Sequence, residues 1–286
     1  MEAVAGIAGS RLEAATWLRS GRSFKAEAGP GGEQAQAVAA LSVLARLLAE
    51  LLDIIYSSDE KERALPVLYT VMGNLVPYLR CHARQHQDLL RAGAALLASL
   101  SEYPFTRKCW RKEGLELLLE PNFFRVEHDT LRSWRTTTDN LMSQGMKEGC
   151  FKDLLTRIAG LGQSNISLFS SRELEQEQRA LLLKRLAWCI FSSDIDQYQR
   201  QMSDITDRLS ECLRSVPVSP LVQVGSDLLY PTILSYQGAV FLCFRVILLR
   251  MSAVHVTFLW PVIITEMVLV FSNMEQELSQ DSPEFR

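Results

Sequence analysis

From Leu41 the apolar positions step by three and four. Leu41, Leu44, Leu48, Leu51 and Ile55 fall on one stripe of a helix, which Ser57-Ser58-Asp59 ends. Pro66 suits the first turn of a second helix, where no amide donor is needed, and the stripe Leu68, Met72 and Leu75 carries it to Pro77. A third helix repeats Leu89 or Leu90, Gly93, Leu96 or Leu97, and Leu100. A fourth follows Pro104 with Phe105, Cys109 and Leu115 to Leu119, and stops at Pro121. Leu131, Trp134, Thr138 and Leu141 predict a fifth, while Phe151, Leu154, Leu155 and Ile158 predict a sixth that runs out at Gly160 and Gly162. Ser170 stands three residues before Glu173, the reciprocal pairing of a capping box, and opens a helix predicted to reach about Phe191. The next is predicted from near Ser193 through Ile195, Tyr198, Met202, Ile205, Leu209 and Leu213 to Pro217. A last helix is predicted from Pro261, with Val262, Met267, Val270, Phe271, Met274 and Leu278 facing the protein and Glu266, Glu275 and Glu277 facing solvent.

No segment of comparable length alternates strictly between apolar and polar, so a substantial sheet has no support and the fold class is all-α. Helices joined by short Pro, Ser or Gly breaks fit an irregular α-solenoid of HEAT/armadillo-like helix pairs, or a helical bundle. The unequal helix lengths and the prolines near helix starts favour the solenoid, although no sequence period repeats. Residues 1–35 are rich in Ala, Gly and Ser, end near Gly29-Pro30-Gly31-Gly32, and read as a flexible leader. The helical domain is expected over 36–278, with 279–286 as a tail.

Composition narrows the picture only a little. With 48% hydrophobic and 22% charged residues the chain is neither wholly disordered nor collagen-like. A net charge of −3 and a pI near 5.9 give no general grip on nucleic acid, so any basic site is local. The six cysteines form no CxxC pair and mostly sit in apolar helical patterns, as reduced, packed thiols do. Glu2, Arg11 and Glu13 interrupt anything resembling a secretory signal, which points to a cytosolic address and leaves the sequon Asn165-Ile166-Ser167 unused.

Motifs of common enzymes are absent: there is no GxxxxGK[ST], no GxGxxG after a strand, no HExxH and no GxSxG. His82 and His86 have the i,i+4 spacing of a metal pair beside Cys81, but no third ligand follows at a defined spacing, so a polar helix surface is the simpler reading. Asp194 and Asp196 could be paired carboxylates; with Ser193 they read better as the capped start of a helix. Leu174, Leu181, Trp188 and Ile195 recur every seven residues, yet Gln178, Arg185 and Ser192 fill the second seam column, which favours packing within the chain over a coiled coil. Val254 to Phe271 is the most apolar window. His255, Pro261 and Glu266 interrupt it, so a buried helix fits better than a membrane span.

The sharpest charge feature is Thr106-Arg107-Lys108-Cys109-Trp110-Arg111-Lys112. Arg107/Arg111 and Lys108/Lys112 are like-charged i,i+4 pairs around an aromatic ring, and they repel one another. From Arg80 to Glu113 seven basic residues face three acidic ones, a local excess that a partner or an anionic membrane could answer. At about 1 kcal/mol per basic residue, Arg107, Lys108, Arg111 and Lys112 would give roughly 4 kcal/mol, about a thousandfold enrichment at an anionic surface. These four with Trp110 are the candidate site for anionic lipid or a protein partner. The competing reading is a solvated face answered by acidic neighbours within the fold.

Four strings resemble the C-terminal part of the Dopey family, leucine-zipper-like proteins of Golgi and endosome traffic. They are Tyr103 to Glu113 with Pro121-Asn122-Phe123-Phe124, Trp134 to Met142, Leu181 to Tyr198, and Val240 to Ser252 continuing through Leu259-Trp260-Pro261 to Glu277-Leu278. The resemblance spans about Gln34 to Leu278. It implies a non-enzymatic helical scaffold, cytosolic and bound peripherally to Golgi, trans-Golgi network and endosomal membranes. Its implied partners are an Arf-exchange-factor-like Golgi protein and a phospholipid-flippase complex. No catalytic residue, cofactor or metal carries over. Dopey proteins are several times longer, so this chain reads as a fragment or alternative product. Relatives also pass almost directly into the Val240 helix, so Val218 to Gly238 reads as an insertion, expected to be locally disordered. Three functions compete: the trafficking scaffold, a soluble cytosolic helical-repeat interaction module with no membrane role, and an enzyme built from distant residues around His82 and His86.

Overall fold

A computed structural model of the chain describes residues 32–80, 87–143, 150–160, 172–214 and 229–279. The described residues hold helices and connections, with no strand among them, and the fold is all-α. Two compact units divide the chain, Met1–Phe151 and Lys152–Arg286.

The first unit contains α1 (Gly32–Tyr56), α2 (Lys61–Leu79), α3 (Gln87–Ser101), a single 3-10 turn at Pro104–Thr106, α4 (Arg107–Leu119) and α5 (His128–Ser143). α3 is apolar almost all round and therefore lies at the centre: Leu89, Leu90, Ala94, Leu96, Leu97 and Leu100 are all buried. α1 and α5 both pack extensively on it. α2 and α4 pack on each other and against α3. These packed helices are consistent with either an α-solenoid or a helical bundle. α2 and α3 approach closely at Gly93, where a Cβ would lie 3.3 Å from the side chains of both Leu75 and Leu79 on α2.

The expected stripe of α1 is rotated slightly. Leu41, Leu48 and Ile55 are buried together with Ala45 and Leu52, while Leu44 and Leu51 sit half-buried at its edges. Pro66 is not in the first turn of its helix. α2 begins at Lys61, and Pro66 lies on an exposed face, where water can satisfy the carbonyl left without a donor. Pro77 likewise stays inside α2, whose last residue, Leu79, is buried.

α6 (Cys150–Gly160) crosses the boundary between the units. The second unit then contains α7 (Arg172–Ser192), a 3-10 turn at Gln199–Gln201, α8 (Met202–Arg214), α9 (Leu229–Arg250), α10 (Ala253–Val256) and α11 (Leu259–Ser279). α7 and α9 pack along their length and carry its core, with Leu183, Leu186, Ala187 and Ile190 buried on one and Val240, Cys243, Phe244 and Ile247 on the other. The seven-residue column does not make this core. Leu174 and Ile195 are exposed, whereas Arg185, from the other column, is buried.

Three expectations are corrected in this unit. No helix starts at Ser193: Asp196 takes a left-handed conformation (φ 63°), Ile195 points to solvent, and the helix begins only at Met202. Local disorder does not hold for 229–238, which form the first turns of α9. There Tyr236 is buried and its hydroxyl donates to the Cys212 carbonyl at 3.0 Å. Residues 218–228 lie outside the described residues. Finally, Met267 and Phe271 of α11 are exposed rather than packed; among the described side chains of α11 the buried ones are Leu259 and Ile263, near its start. None of the described helices is long and apolar enough to cross a membrane.

Candidate functional site

The basic string is split by the helix it forms. Pro104 sets up the 3-10 turn that leads into α4, and the turn closes through the Thr106 hydroxyl, shared between the carbonyls of Leu100 (2.5 Å) and Tyr103 (2.7 Å). Trp110, one turn on, is fully buried and donates its indole N–H to that same hydroxyl at 3.2 Å. The ring rests against the helix at Gly114, where a Cβ would come within 3.2 Å of the indole. Trp110 is therefore a core residue with a satisfied donor and does not reach a membrane or partner. This corrects its place in the candidate site.

Arg107 and Arg111 are half-buried and turned inward. Arg107 donates to the Leu141 carbonyl on α5 at 3.2 Å, and the Nε of Arg111 donates to the Cys150 sulfur at 3.1 Å. Lys108 and Lys112 are exposed, and Glu116 follows them on the outward row, so the basic part of that row is two residues long. The surrounding excess of positive charge is also answered within the fold. Arg80, just past α2, pairs with Glu113 (3.6 Å) and Glu120 (3.0 Å) of the α4 region; Arg91 pairs with Asp88 and with Glu127 (3.7 Å). For a membrane contact this halves the electrostatic term to about 2 kcal/mol, or about thirtyfold. Arg84, with Cys81, His82 and His86, lies outside the described residues. No group of three or more metal-ligating side chains occurs among the described ones.

Five of the six cysteines are described, and all are buried, reduced thiols. Burial pushes the thiols of Cys109, Cys212 and Cys243 up, which keeps them protonated and unreactive.

Sequence reasoning missed a clasp in the second unit. The Asp196 carboxylate accepts the backbone N–H of Ser252 at 2.7 Å and also the Ser252 hydroxyl, so it caps α10 rather than its own segment. The Asp196 N–H donates to the Arg250 carbonyl at 3.0 Å, the Arg250 guanidinium donates to the Ser193 carbonyl, and the Gln199 amide meets His255 Nδ1 at 3.0 Å. The two Ser252 hydrogen bonds hold the Asp196 carboxyl below its ordinary value, with His255 adding to the effect. The left-handed conformation is what aims the carboxylate; Asp is one of the few residues that tolerate it. Asp beside Ser in this segment was the visible signal, but its partner lies 56 positions away in the sequence.

The family model described as DOP1 C-terminal matches residues 13–285. The chain belongs to the DOP1 C-terminal family. Protein DOP1 homolog of Drosophila melanogaster is 43% identical over 293 residues, 99% of this chain and 11% of its own length. Protein DOP1B of Mus musculus is 36% identical over 304 residues, 98% of this chain and 12% of its own length. Protein pad-1 of Caenorhabditis elegans is 40% identical over 253 residues, 87% of this chain and 10% of its own. The chain thus spans about a tenth of the length of these DOP1 relatives. No solved structure matches it. The Dopey resemblance holds and reaches further than Gln34 to Leu278, since the DOP1 C-terminal match takes in much of the expected leader and nearly all of the tail.

Proposed function

We propose that this chain is a non-enzymatic scaffold in Golgi–endosome protein transport, held peripherally on trans-Golgi and endosomal membranes. Its partners are an Arf-exchange-factor-like Golgi protein and a phospholipid-flippase complex. The observation that carries this reading is the DOP1 C-terminal match over residues 13–285. The packed helices of the first unit support it, because packed helices present long side-chain surfaces to other proteins. Lys108 and Lys112 supply the membrane contact, and two lysines make a weak one. That weakness is also what favours the second reading, a soluble cytosolic interaction module with no membrane role.

Proximity labelling in cells with the chain fused to a labelling enzyme tests the two together. The scaffold reading predicts labelled neighbours from Golgi and endosomal membranes, including an exchange-factor-like protein and flippase subunits. A uniformly cytosolic set of neighbours would overturn it in favour of the second reading.

A further inference from the structure

After Ile263 every described side chain of α11 is exposed. Trp260, Ile264, Met267, Val268 and Phe271 stand at i, i+4, i+7, i+8 and i+11, one continuous row on a helix, and their exposures are 47%, 55%, 43%, 56% and 61%. At about half exposure, five such side chains present roughly 400 Å² of apolar surface, the size at which a patch marks an interaction site. This row differs from the scattered single exposed apolar residues that any surface carries.

Charge selects the occupant. From Met251 to Phe285 the chain has no Lys or Arg, while Glu266, Glu275, Glu277, Asp281 and Glu284 are acidic. Glu275 is exposed one turn beyond Phe271, on the same side of the helix as the apolar row. An amphipathic helix that lies on an anionic bilayer carries basic residues along its polar flank, and this segment has none. A second copy would bring an equally acidic segment against this one.

We infer that the apolar row of α11 is a helical ligand for a protein partner whose apolar groove is rimmed by lysines and arginines. Trp260, Ile264 and Phe271 fill the groove, and the partner's basic rim pairs with Glu275, exposed one turn beyond Phe271. This is helix-in-groove recognition, with anchors spaced by helical turns and an acidic flank setting orientation and on-rate. It rests on the scaffold reading and deepens it by naming one partner's chemistry.

The test places photoreactive benzoylphenylalanine at Ile264, or at the exposed off-row position Thr265, in the full chain in cells, and identifies cross-linked peptides by mass spectrometry. The expected result is a cross-link from position 264, absent from 265, to an apolar segment of another protein flanked by Lys and Arg. Phe271→Glu should then weaken the purified pair at least tenfold with far-UV circular dichroism unchanged. Cross-links to lipid, to peptides of this chain, or to a partner segment without basic residues would overturn the inference, as would the absence of any cross-link specific to position 264. Specific cross-links combined with purely cytosolic neighbours would instead strike the trafficking scaffold and leave the groove in place.

Discussion

Replacing Trp110 by Ala separates a core role from a binding role. The indole is fully buried and its N–H is bonded to the Thr106 hydroxyl, which itself closes the turn that starts α4. Losing a buried Trp side chain costs about 3–5 kcal/mol in transfer and cavity terms together. Trp110→Phe keeps most of the ring and loses the hydrogen bond, for about 1–2 kcal/mol. Gly114 supplies an internal control. Gly114→Ala alone gains about 1 kcal/mol of helix propensity but presses a Cβ to 3.2 Å from the ring, so its net effect is near zero. In the Trp110→Ala background the obstruction is gone and the same change should stabilise by about 1 kcal/mol, a coupling of that size between the two sites. Urea unfolding followed by far-UV ellipticity measures all four proteins of the cycle. A Trp110→Ala cost below about 1 kcal/mol, or loss of vesicle binding with stability intact, would refute the placement of the ring in the core.

Three further outcomes follow from the same geometry. The folded Asp196 carboxyl titrates below its ordinary value of 3.8, so its contribution is present above that pH and is lost as pH falls through the lower folded value; Asp196→Asn should flatten the acid end of a melting-temperature profile, and an unchanged profile would remove the clasp from the stability account. Burial pushes the Arg185 guanidinium from 12.5 down to about 10, so the buried charge opposes folding at neutral pH and the penalty is relieved between those two values; Arg185→Met should be no less stable at pH 7, and a loss above about 2 kcal/mol by urea titration would contradict this. Gly93→Val should cost about 1–3 kcal/mol by thermal unfolding, because Leu75 and Leu79 already occupy the space; a neutral result would mean that α2 and α3 are not so closely packed.

Much of the fold was legible because three-and-four stepping reports which face of a helix is wet, and in the first unit each predicted helix occurs close to its expected place. What periodicity could not report is which of two polar residues turns inward. Arg107 and Lys108 are adjacent cations, yet one reaches a carbonyl on α5 and the other faces water, a difference set by where α5 lies. Asp196 escaped for a related reason: its apolar neighbours Ile195 and Tyr198 fit a helix, and the tertiary hydrogen bonds to Ser252 outweigh that local preference. Met267 and Phe271 show the opposite limit. An apolar stripe says that a face wants cover, but it does not say that the chain itself provides the cover.

The proposed membrane contact turns on the division of α4 into an inward half that holds the fold and an outward, exposed half that carries Lys108 and Lys112. Flotation with phosphatidylserine vesicles, measured together with melting temperature, tests it directly in the variants Lys108→Glu/Lys112→Glu and Arg111→Gln. The account predicts that the lysine pair loses flotation at unchanged melting temperature, and that Arg111→Gln melts earlier while still floating below its melting point. Flotation that ignores the lysines but follows Arg111 would contradict it.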